Sequence, residues 1–227
     1  MNSGYLIVKT FERMYREYLE LRDAMKYPLP NDKSIYSIPW KEMSPDTYNK
    51  QYSGVSREPI FSWNDKDEQY FRGKGMVVEP KDAELNAHRA LGQLEMSQKA
   101  DYDFIKSYDD ALNVFELPGI QTEREIIWIR DMESYSLEPP DYPLLGYEPA
   151  TFGGWFSAIS DCMCFPVWHG TDTDGELFKM HHDNLNRYAL FNTPEAAREF
   201  LDYYSSFEWT EKAHYVITEV RLAKGSN

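Results

Sequence analysis

Residues 161–170, DCMCFPVWHG, gather two cysteines, an aspartate, a tryptophan and a histidine into ten positions. Three kinds of chemistry use such a set. A structural zinc ion takes about four ligands. In an extended strand Cys162 and Cys164 point the same way, and His169, Asp172 and His181 or His182 could complete four. That spacing differs from the paired C-x-x-C of structural zinc sites. A thiolate nucleophile needs a histidine in contact and a third group to orient it; the five histidines, at 88, 169, 181, 182 and 214, offer no pair that spacing selects. A disulfide between Cys162 and Cys164 would close a very small, strained ring. Without such chemistry, the stretch is a buried strand that leaves through Pro166 into a turn at Gly170, its thiols serving as small apolar side chains and its glycine supplying backbone freedom. This last reading is the expectation. No catalytic residue, cofactor or metal is assigned.

The other candidate chemistry is charge. The chain carries net −14. Residues 1–80 are balanced, so the whole surplus lies in residues 81–227. Within residues 101–149, twelve acids face only Lys106, Arg124 and Arg130, net −9. Such a field repels nucleic-acid backbones and speeds the capture of basic partners; acidic surface also serves solubility. The stretch DMESYSLEPPDYPLLGYEP, 131–149, adds Tyr135, Tyr142 and Tyr147 and four prolines to its acids. Rigid rings and stiff backbone lose little entropy on docking, although a solvated connector between two strands would have the same composition. The expected attracting set is Asp101, Asp103, Asp109, Asp110, Asp131, Glu133, Glu138 and Asp141, with Tyr135 and Tyr142 as anchors.

These residues need elements to hold them. Residues 10–27 have the three-four apolar spacing of a helix that Pro28 and Pro30 stop. The preceding GYLIV is either a short strand or the first helical turn. Residues 28–80 are irregular but carry rings from Trp40 to Phe71. Disordered linkers are poor in aromatics, so this segment is expected to wrap the surface without marking a domain boundary. Residues 80–98 and 107–119 read as helices, the second closed by Pro118–Gly119. REIIWIRD, 124–131, is the clearest strand, and Tyr142–Tyr147, Phe156–Phe165 and 214–222 are further strands. Residues 175–191 read as a helix. A second helix at 193–204 has Thr193 as cap and Pro194 in its first turn. The expected class is α+β, one compact domain over 1–227: an N-terminal helix, an aromatic-rich irregular segment, central helices and a C-terminal mixed sheet with two helices.

Aromatic residues make up 15% of the chain, enough for a real core. No apolar run reaches membrane-span length, the N-terminus lacks the pattern of a secretory signal, and two cysteines exclude a disulfide scaffold. A cytoplasmic location is expected, with no direct nucleic-acid or membrane binding. There is no G-x-G-x-x-G, Walker A, G-x-S-x-G or H-E-x-x-H.

Two resemblances add expectations. The strand end Val167–Trp168–His169–Gly170–Thr171, then Phe191–Asn192–Thr193, then the strand at 214–222 resemble the ADP-ribosyltransferase family. There a His-Gly-Thr strand end and a later aromatic-x-Thr help hold NAD, so the resemblance implies an NAD-handling enzyme centred on His169; a metal-assisted enzyme centred on the same histidine is the alternative left by the cysteine and histidine set. The resemblance departs from the family at the catalytic glutamate, usually on a later strand: after Val220 only Arg221 to Asn227 remain, while Glu211 and Glu219 lie earlier. Taken whole, the small, acidic, aromatic-rich chain resembles bacterial immunity proteins of polymorphic toxin systems. The residues carrying this are Leu144–Pro149, Asp161–Asp172 and Leu185–Tyr204. That resemblance implies a non-enzymatic inhibitor that binds a cognate, basic toxin and occludes its active site. A nucleic-acid-mimicking anti-defence protein is a further alternative with the same gross charge.

Overall fold

A computed structural model describes residues 3–24, 45, 57, 59–60, 82–101, 104–135, 138–151, 157–159, 184–208, 210 and 213–226. In chain order the elements are β1 (Ser3–Lys9), α1 (Phe11–Ala24), α2 (Asp82–Met96), β2 (Ala100–Asp101), β3 (Phe104–Ile105), α3 (Tyr108–Phe115), β4 (Arg124–Asp131), β5 (Leu144–Thr151), α4 (Pro194–Ser205) and β6 (Tyr215–Lys224). The class is α+β. The strands form one sheet in the order β2-β3-β1-β4-β6-β5, and every pairing is antiparallel rather than mixed.

The apolar runs explain the centre of that order. Leu6–Ile7–Val8 of β1, Ile126–Ile129 of β4 and Val216–Ile217 with Val220 of β6 are buried without alternation. Such strands need cover on both faces. One face carries Ile7 and Ile126, packed with Ala87 and Leu91 of α2 and Ala111, Val114 and Phe115 of α3. Further along the same face, Ile217 packs on Ala197, Phe200, Leu201 and Tyr204 of α4. The opposite face buries Leu6, Val8, Ile127, Ile129 and Val220 with Leu145 and Leu190. The GYLIV stretch is therefore a central strand rather than a helical turn.

Boundaries follow local chemistry. Ser107 caps α3, its side chain accepting from the Asp110 amide. Thr193 caps α4 by accepting from Ala196, with Pro194 in the first turn. The α3 helix ends at Phe115, short of Pro118: the Glu116 amide still makes the helical bond to Leu112, but the Leu117 amide turns to the Val114 carbonyl, one residue tighter. Residues 185–191 differ from the expected helix. Leu185 and Tyr147 both bridge to Phe191, and Tyr147 and Phe191 exchange both amide bonds at 2.9 Å. Asn186 replaces helical turns with side-chain bonds: its Oδ1 accepts from Tyr188 and its Nδ2 donates to the Leu145 carbonyl. This loop covers the outer edge of β5, which would otherwise be open to pairing with another chain.

At the end of the sheet formed by Lys9 and Arg124, ion pairs tie α1 and α2 to each other and to the sheet. Glu84 of α2 pairs with Arg13 of α1 and with Arg124 of β4 at 3.2 Å. Glu17 pairs with Lys9 at 2.6 Å and Arg13 at 2.7 Å. Arg57 is buried against Glu125 at 2.8 Å, and its carbonyl accepts from the Lys9 amide at 2.9 Å. Burial works against ionising Glu17 and Glu84. The bonds from Lys9 and Arg13, and from Arg13 and Arg124, outweigh that burial and hold both carboxyls below their usual range.

Candidate partner-binding surface

The site is built on the face that carries α3 and α4. These helices sit toward opposite ends of the sheet, and two cross-strand rows run between them. One row is Tyr5–Trp128–Arg221–Leu144; the next is Ser3–Arg130–Glu219–Tyr147. Since β4 and β5 both run antiparallel to β6, they are parallel to each other, and residues 132–143 must carry the chain back across the face. The described parts of that connector lie on the two rows, as a strap.

Its tyrosines face inward. Tyr135 meets Trp128 edge-on at 5.8 Å. Tyr142 lies 6.4 Å from Tyr5 and 6.1 Å from Tyr108, and Tyr5 and Tyr108 are 5.8 Å apart. Such separations and tilts suit aromatic attraction. Burial, a hydrogen bond to Tyr142 and the neighbouring phenols push the Tyr5 hydroxyl well above its usual range. Tyr108 is raised in the same way, by burial and then by Tyr142, Glu116 and Asp109. Backbone bonds complete the attachment: the Leu222 amide donates to the Pro143 carbonyl at 2.9 Å. Both expected anchors therefore hold the strap to its own sheet, and each is only half-buried.

The acids divide. Glu138 and Asp141 on the strap and Asp109 on α3 are exposed, with no ion pair recorded among the described residues. Contact between Tyr108 and Tyr142 sets the α3 turn that carries Asp109 against the end of the strap that carries Asp141. Asp101 is exposed too, on the outermost strand. Glu133 is exposed but paired with Arg198 of α4. Asp110 is turned inward: Lys99 at 2.9 Å and Ser107 at 2.7 Å take its two oxygens and lower its proton affinity. Asp131 is buried, its oxygens taken by the Glu133 amide and the Ser134 hydroxyl. Asp131 is not presented to solvent, because it closes a local turn; Asp110 is half-buried and already paired with Lys99. Asp103 lies outside the described residues.

So do Cys162, Cys164, His169, Asp172, His181 and His182. Among the described residues no cluster of three or more His, Cys, Asp or Glu could hold a metal, and no helix is long and apolar enough to cross a membrane. Thr193, the end of the aromatic-x-Thr piece, caps α4. Glu219 lies buried between Arg130 and Arg221.

No family model, curated protein or solved structure matches this chain.

Composition alone does not reveal the floor of the surface. Tyr5, Trp128, Arg130 and Arg221 are separated by as many as 216 positions, and strand register unites them. The signal within reach was the reading of REIIWIRD as a strand, whose two-residue period puts Trp128 and Arg130 on one face.

Proposed function

We propose that this chain is a non-enzymatic binding protein of the immunity type, which captures a basic protein toxin and covers its active site. The observation carrying this reading is the strap. Glu138 and Asp141 stand exposed on a proline-stiffened segment pinned by Tyr135 and Tyr142, and Asp109 is exposed on α3, next in sequence to the Tyr108 ring that meets Tyr142. A surface ordered before it meets its partner loses little freedom on binding. Half-buried tyrosines give such a surface apolar contact area beside the carboxylates, and the exposed side chain of Leu144 continues that area where the strap enters β5. Like-charge carboxylates held together attract Lys and Arg side chains at long range and accelerate encounter.

Co-expression with the product of the adjacent reading frame, tested first for toxicity on its own, is the test. Wild-type protein should restore growth. The triple variant Asp109→Lys, Glu138→Lys, Asp141→Lys should keep its circular dichroism spectrum and lose protection. With purified partners, the association rate of the wild type should fall by about tenfold or more as salt rises from low to physiological strength. A triple variant that protects like the wild type, or an association rate indifferent to salt, ends this reading.

A further inference from the structure

Two arginines touch the strap near its two ends, and one carboxylate holds both of them. The Arg130 guanidinium lies over the Tyr135 ring, 5.8 Å from its centroid. Arg221 donates from Nη1 to the Tyr142 carbonyl at 2.7 Å. Between them stands Glu219, with 2% of its side chain exposed. Its Oε2 accepts from Arg130 Nε at 2.9 Å and Nη2 at 2.5 Å, and its Oε1 accepts from Arg221 Nε.

We propose that Glu219 is a positioning residue for the acidic strap: one buried carboxylate that sets, through two arginines, where both ends of the strap lie on the sheet. The planarity of guanidinium supplies the reason. Its donors form a rigid fork, so engaging Nε fixes where the Nη groups point. With Nε of Arg221 on Glu219, Nη1 is aimed at the Tyr142 carbonyl. With Nε and Nη2 of Arg130 on Glu219, its flat face is set against Tyr135. Removing the charge takes away the anion that the two half-buried cations share, and both grips loosen together. The inference extends the binding reading above, because the strap carries Glu138 and Asp141. Its readout needs no partner, so its failure and the failure of that reading are distinguishable.

Amide hydrogen exchange on the intact chain, read by NMR, tests it. The Tyr135 amide donates to the Asp131 carbonyl at 3.0 Å and the Tyr142 amide to the Pro140 carbonyl at 2.8 Å, which gives one reporter at each end. Val220, in the middle of β6, is the internal reference. In Glu219→Gln both reporters should exchange about tenfold faster relative to Val220. Lysine cannot reproduce the fork, so Arg221→Lys should speed Tyr142 alone and Arg130→Lys should speed Tyr135 alone. Should Glu219→Gln fail to fold, the two lysine variants carry the test. Reporters unmoved in Glu219→Gln or in the lysine variants, or lysine variants that each loosen both ends alike, would overturn the proposal.

Discussion

Gly146 shows how much can rest on a missing methyl group. It sits at the irregularity where β5 joins β6, with φ at +150°. A Cβ there would stand 2.6 Å from the Phe191 carbonyl oxygen and 2.7 Å from Leu190 Cβ. Neither neighbour can yield cheaply, since the Phe191 backbone is bonded to Tyr147 and Leu190 is fully buried. Gly146→Ala should cost about 3 kcal/mol or more, combining backbone strain with overpacking. Urea unfolding measures this, and a loss under about 1 kcal/mol would contradict it. The requirement was not legible in LLGYEP, where the glycine falls inside the expected strand Tyr142–Tyr147 and nothing local shows what crowds it. Thr193 was legible, because Thr-Pro-Glu ahead of an apolar run is a local pattern with a local cause. Asp110 and Asp131 lie between these cases. Their charge was plain, but the lysine, serine hydroxyls and amide that take it up are set by the turn each residue closes.

Elements behave in the same way. β4, α3 and α4 follow from composition and caps, since apolar runs and capping residues act over a few positions. The strap does not. Its sequence fits a solvated connector equally well, and its place on the sheet comes from β6, which enters between β4 and β5 more than sixty residues later. The α1–α2 junction is a further case of order imposed from a distance. Arg13 and Arg124 converge on Glu84 from separate elements. Removing that carboxylate leaves two buried cations sharing fewer anions, so Glu84→Gln should cost about 2 kcal/mol at neutral pH, discounted for partial exposure of the glutamate. The pH sign follows from the depressed carboxyls. Glu17 and Glu84 contribute stability that is complete above the ordinary glutamate range and is lost as pH falls through their lower folded values. Acid titration of the unfolding free energy should show this loss below about pH 4.5, with a shallower slope in Glu84→Gln. Equal slopes would mean that the junction does not hold Glu84 ionised.

For the whole molecule, net −14 on 227 residues is a standing repulsion. Self-repulsion destabilises a compact state, and added salt screens it. Raising sodium chloride from about 10 to 150 mM should therefore raise the melting temperature by a few degrees, near the scale on which 1 kcal/mol shifts a domain of this size. A fall would mean that the ion pairs around Arg13 and Glu84 dominate the salt response. The strand order carries a different consequence, one of timing. A ribosome delivers β1, β4 and β5 well before β6, and β5 pairs with no other strand of the sheet. Until β6 emerges, β5 has beside it, among the described residues, the loop at 185–191 and the bridge from Ser157 to Ala150, and neither Glu219 nor Arg221 exists to receive the connector. Closure of the sheet is thus a late, non-local event. It belongs with the slow side of folding kinetics, and it leaves the nascent chain with an unpaired β-edge for chaperones to shield.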